Sequence, residues 1–68
     1  MTTTYTAKEL ATEVQREINY RRWVYPRLVA AGKLAQATAD KRIAMMEQIA
    51  TMLGVKAEAE EKQKELPL

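Results

Sequence analysis

Leu28-Val29-Ala30-Ala31-Gly32-Lys33-Leu34-Ala35-Gln36-Ala37-Thr38-Ala39 is the stretch whose reading decides the fold. Apolar residues recur at helical spacing on both sides of it, and the only strong punctuation inside it is Gly32. Glycine takes the left-handed backbone conformation that closes helices at little cost. The connection is therefore about Gly32 to Leu34. A joint that short makes the two helices antiparallel neighbours, an αα-hairpin.

Working back from the joint, Leu10, Val14, Ile18, Tyr25 and Leu28 follow one another at three- and four-residue steps or their multiple. At about 100° per residue they share one apolar sector, joined by Ala7, Ala11 and Val29. The start is marked three times. Thr6 and Glu9 have the spacing of a capping box, and Tyr5 and Leu10 that of a hydrophobic staple. These signals predict a first helix over about 7–31, after a flexible segment at 1–5. Pro26 interrupts it. A proline inside a helix removes one hydrogen bond and clashes with the preceding turn, at about 3 kcal/mol. Either the helix kinks near Arg22 to Tyr25, or it breaks and restarts with Pro26 in its first turn. Continuity of the apolar sector across the proline favours one kinked helix.

Working forward, Ala39, Ile43, Met46, Ala50 and Leu53 are spaced 4, 3, 4, 3, the seam of paired helices. They predict a second helix over about 36–53, starting near Ala35 to Ala37 without a strong cap, with Gly54 as a plausible stop. The hairpin thus occupies 6–54. Residues 55–68 form a charged tail, either a helical extension or disordered. A second stripe, Met45, Ile49 and Met52, lies beside the first. One partner helix does not cover both stripes, and burying three such side chains is worth about 1.5–3 kcal/mol each. Self-association into a dimeric four-helix bundle is the simplest remedy. The alternatives are a tail that folds back over the stripe and a groove for a foreign helix. The expected fold is all-α: an antiparallel helical hairpin assembling as a dimer, with Leu10, Val14, Ile18, Tyr25, Leu28, Ile43, Met45, Met46, Ile49, Met52 and Leu53 as its core and oligomer face.

The composition excludes most chemistry. The chain has 68 residues with no Cys, His, Ser or Phe. Triads of Ser or Cys with a His base cannot be assembled. Neither can a His/Cys metal site, and no disulfide can brace the chain. Gly32 and Gly54 are too far apart for a phosphate-cradling loop. Glu58, Glu60 and Glu61 read as a solvated face rather than an acid–base pair. The expectation is a non-enzyme without cofactor or metal. No run is apolar enough for a membrane span, and Met1 to Thr4 lacks the pattern of a signal peptide. Net charge is +2 overall, but +5 over residues 16–42 and −2 over 43–68.

Asn19-Tyr20-Arg21-Arg22-Trp23-Val24-Tyr25-Pro26-Arg27 holds three of the four aromatics and three of the five arginines. On a helix, Arg16, Tyr20, Trp23 and Arg27 form a stripe roughly opposite the apolar sector. Large aromatics on a wet face call for a reason, and Trp, Tyr and Arg dominate interface hot spots. Three readings stay open: packing within the oligomer, docking on a foreign protein, and nucleic-acid binding through arginine on phosphate with base stacking. A basic patch of Arg21, Arg22, Lys33, Lys41 and Arg42 adds to the third. Arg21 falls inside the apolar sector, four residues after Glu17. It pairs with Glu17 at the sector edge, or it makes an inter-chain ion pair that fixes register.

The run from Arg21 to Leu34, with Ala39-Asp40-Lys41-Arg42-Ile43-Ala44-Met45-Met46-Glu47, resembles a group of very short, uncharacterised proteins of tailed bacteriophages and prophages. The shared pattern is an Arg-rich stretch, Val-Tyr-Pro-Arg, an Ala-Gly turn, and a helix with Ala-Asp and Ile-x-x-Met-Glu. It covers roughly residues 16–50. The resemblance implies a phage origin and the host cytoplasm, and it supplies no activity. The resulting expectation is a small phage accessory or regulatory protein that acts by contact with a host or phage protein, with the machinery of nucleic-acid metabolism as a natural target. The alternatives are a direct nucleic-acid-binding accessory using residues 16–42 and a structural piece of a phage assembly.

Overall fold

The computed structural model describes residues 3–65, with side chains to residue 62. Residues 1, 2 and 66–68, at the ends of the expected flexible segment and charged tail, lie outside the described residues. Two helices make up the fold, α1 at Ala7–Ala30 and α2 at Gln36–Glu65. They run antiparallel as a hairpin 57 × 26 × 16 Å in extent.

The start of α1 follows from its side chains. Thr6 is the N-cap. Its hydroxyl accepts the Glu9 N–H at 3.1 Å, and the Glu9 carboxylate accepts the Thr6 N–H at 3.2 Å. Two donors left free by helix geometry are thereby satisfied. The end is equally local. Gly32 sits at φ +73°. Its N–H donates to the Val29 carbonyl at 3.0 Å, and the Lys33 N–H reaches back to Leu28 at 2.9 Å. This is a Schellman closure, with glycine where a Cβ would be strained. Between these ends α1 is continuous through Pro26. Pro26 is exposed, and its ring nitrogen leaves the Arg22 carbonyl without its usual helical partner.

The start of α2 has no side-chain cap. The Ala35 carbonyl accepts the Ala39 N–H at 3.0 Å, and Gln36 donates to Asp40 at 2.9 Å within the first turn. The far end departs from the expected stop at 53. Gly54 does not close the helix, which continues to Glu65. A glycine inside a helix costs about 1 kcal/mol relative to alanine. Here good helix formers follow it, and the seam carries on through Ala57 and Glu60, both half-buried. The Glu60 carboxylate accepts the Ala7 N–H of α1 at 3.2 Å. The tail therefore does not fold back over the stripe of α2; it prolongs α2 along the start of α1.

The core is thin. Ala7, Ile18 and Ala39 are buried. Val14, Tyr25, Leu28, Ile43, Met46 and Leu53 are half-buried between the helices. Leu10, Met45, Ile49 and Met52 of the expected core and oligomer face are exposed. Two helices meet along one line, so each covers only a narrow sector of the other.

Candidate interaction face

The geometry of α1 fixes where its chemistry points. Ala7, Ala11, Val14, Ile18, Tyr25 and Val29 aim at α2. At about 100° per residue, Arg16, Tyr20, Trp23 and Arg27 lie on the opposite side, and all four are exposed. Tyr20 keeps 60% and Trp23 59% of its surface in solvent. The face is ordered from within. The Arg27 guanidinium carbon sits 3.8 Å from the centroid of the Trp23 ring, a cation–π stack between positions four apart. Arg16 donates to Glu13 at 3.3 Å, and Tyr20 lines a shallow open groove with Glu13, Arg16 and Glu17.

The structure splits the expected basic patch between Arg21 and Arg22. Arg21 and Arg22 leave α1 on its two edges. Arg21 donates through Nε to Glu17 at 2.9 Å. That carboxylate holds the guanidinium pKa above its ordinary value, with partial burial opposing it and Tyr25 adding a smaller rise. Arg22 crosses to Glu47 of α2 at 3.2 Å. Lys33 lies in the turn, and Lys41 and Arg42 are exposed at successive positions of α2. The arginines at 16, 21 and 22 each have a carboxylate partner, so part of the charge excess of the sequence is locally offset.

Two contacts escape the sequence reading. Glu60, read there as part of a solvated face, is half-buried and accepts a backbone N–H at the start of α1. Negative charge is favoured at a helix N-terminus. A signal existed, since Ala57 and Glu60 continue the 4, 3 spacing of the seam past Leu53. The Arg22–Glu47 pair had no signal, because it depends on how the helices are set against each other.

Among the described residues there is no group of three His, Cys, Asp or Glu placed to hold a metal ion. No helix among them is long and apolar enough to cross a membrane. No protein-family model, curated protein or solved structure matches the chain.

Proposed function

We propose that this chain is a non-enzymatic contact protein of bacteriophage origin, working in the host cytoplasm as a dimeric four-helix bundle. Its Arg16, Tyr20, Trp23 and Arg27 face docks on a host or phage protein, with the machinery of nucleic-acid metabolism as the natural target. One observation carries this reading: two large aromatics stand exposed opposite the core, one stacked under an arginine. Such side chains provide much contact area with little conformational freedom to lose. The thin core of a single hairpin supports the dimer. A protein partner is favoured over nucleic acid because Arg16, Arg21 and Arg22 are paired with carboxylates. Phosphate binding draws on unpaired cations.

The test is affinity capture from host and infected-cell lysates with the wild-type chain and with a Trp23→Ala/Arg27→Ala variant, each with and without nuclease. The expected result is a nuclease-resistant partner that the variant loses while its circular dichroism is unchanged. Capture that disappears with nuclease turns the reading to nucleic acid. Co-fractionation only with phage particles turns it to a structural role. Equal capture by the variant overturns the face.

A further inference from the structure

The two edges of the hairpin differ. Along one, Arg22 bridges to Glu47, and Gln15, Pro26, Gln36, Asp40 and Thr51 line open grooves. The other edge is apolar on both helices. On α1 it carries Leu10, Val14, Glu17, Arg21, Val24 and Leu28, a seam spaced 4, 3, 4, 3, 4. On α2 it carries Met45, Ile49 and Met52, with 47%, 43% and 66% of their surface exposed.

The α1 seam reads the same in both directions about Asn19. Leu10 mirrors Leu28, Val14 mirrors Val24, and Glu17 mirrors Arg21, each pair equidistant from that centre. The α2 stripe is centred on Ile49, with Met45 and Met52 on either side. Ala7 beside Glu60 and Arg22 beside Glu47 set the register of the hairpin. That register puts Asn19 level with Ile49, so both seams share one centre.

From this coincidence, and resting on the dimer reading above, we propose that this edge is the interface with a second copy of the chain. The two-fold axis runs across both helices at the level of Asn19 and Ile49. Each α1 lies antiparallel on the partner's α1, and each α2 on the partner's α2. Glu17 then meets the partner subunit's Arg21, Leu10 meets the partner's Leu28, and Ile49 meets its own copy. A parallel pairing would set Glu17 on Glu17 and Arg21 on Arg21, so the charges select the antiparallel register. Arg42 and Lys56 stand seven residues before and after Ile49, in line with the α2 stripe. The same axis sets each Arg42 opposite the partner's Lys56 at the outer ends of the seam, a like-charge contact whose cost stays small because the long stems carry both heads into water.

The surface of the single hairpin agrees. It exposes 5835 Å², where a compact folded chain of this mass exposes roughly 4,400 Å². The excess of roughly 1,400 Å² is more than the ~800 Å² per partner of a standard interface and falls within the range of obligate dimers. Its radius of gyration is 16.1 Å, against about 11 Å for a compact chain of this length. Val55 is also exposed, but it stands on the outer side of α2, away from this seam.

The chain has no cysteine, so single cysteines report the geometry directly. Under mild oxidation, or with a short bismaleimide, Ile49→Cys is expected to form covalent dimer, while Val55→Cys and Trp23→Cys stay monomeric on denaturing gels. Leu10→Cys mixed with Leu28→Cys should cross-link, and neither should do so alone. Sedimentation equilibrium of the wild type should give twice 7.8 kDa. Ile49→Glu, which sets two carboxylates on the axis, should raise the dimer dissociation constant at least ~100-fold. A dimer that cross-links through Val55→Cys or Trp23→Cys and not through Ile49→Cys overturns this interface and leaves the bundle standing. A monomer at ~100 μM, where a pair with a dissociation constant of ~1 μM is almost fully associated, overturns both.

Discussion

Among the described residues, Ile18 is the one large side chain fully enclosed between the helices, at 1% exposure. It faces α2 beside Ala50, at the level where Arg22 and Glu47 bridge the edge. Replacing it with alanine removes three carbons from the interior. At ~0.8 kcal/mol per buried methylene the transfer loss is about 2.4 kcal/mol. The cavity left behind adds to this, and Ile→Ala changes in cores span about 2–5 kcal/mol. A domain of this length holds about 3–10 kcal/mol in all. Ile18→Ala should therefore remove a quarter or more of the stability. Urea unfolding followed by far-ultraviolet circular dichroism, at one fixed protein concentration, measures the difference. Trp23→Ala is the control, since an exposed cation–π stack contributes only about 0.5–1 kcal/mol. A loss at Ile18 below about 0.5 kcal/mol, the size of an ordinary surface change, would refute the packing of α1 on α2 through this residue.

The two glycines should respond with opposite signs. Gly32 lies at φ +73° and Gly54 inside α2, and a Cβ added at either meets nothing within 4 Å. Gly32→Ala then costs about 1 kcal/mol from backbone conformation alone. Gly54→Ala gains up to about 1 kcal/mol from helix propensity. Thermal melts that move in the same direction would contradict this. A double-mutant cycle on Arg22 and Glu47 should give a coupling of about 0.2–1 kcal/mol that shrinks in high salt, as for exposed pairs. No coupling at low salt would mean that the helices are not set in this register.

Much of the hairpin was legible because its signals act over a few residues. Thr6 and Glu9 satisfy each other's backbone donors wherever the chain goes. Gly32 closes α1 because its own φ is free. The seam Ala39, Ile43, Met46, Ala50, Leu53 fixed the inward face of α2, since side-chain direction follows from helix pitch. The Arg16, Tyr20, Trp23 and Arg27 stripe was legible for the same reason, and the structure leaves all four exposed. Composition counted the charges of the basic patch without their partners. Arg21 and Arg22 are adjacent in sequence yet leave the helix on opposite edges, each toward its own carboxylate.

The sequence by itself determined that there are two helices, where α1 begins and ends, which faces turn inward, and that no Ser, Cys or His chemistry is available. These are matters of residue type, backbone freedom and pitch. Only the tertiary structure decided that α2 passes through Gly54, because the contacts of Ala57 and Glu60 along α1 outweigh a local propensity cost. It alone decided that Glu60 meets the Ala7 N–H and that Arg22 meets Glu47, since both depend on the register of two helices. That register also sets Asn19 level with Ile49, and so turns two separate stripes into one edge with a common centre.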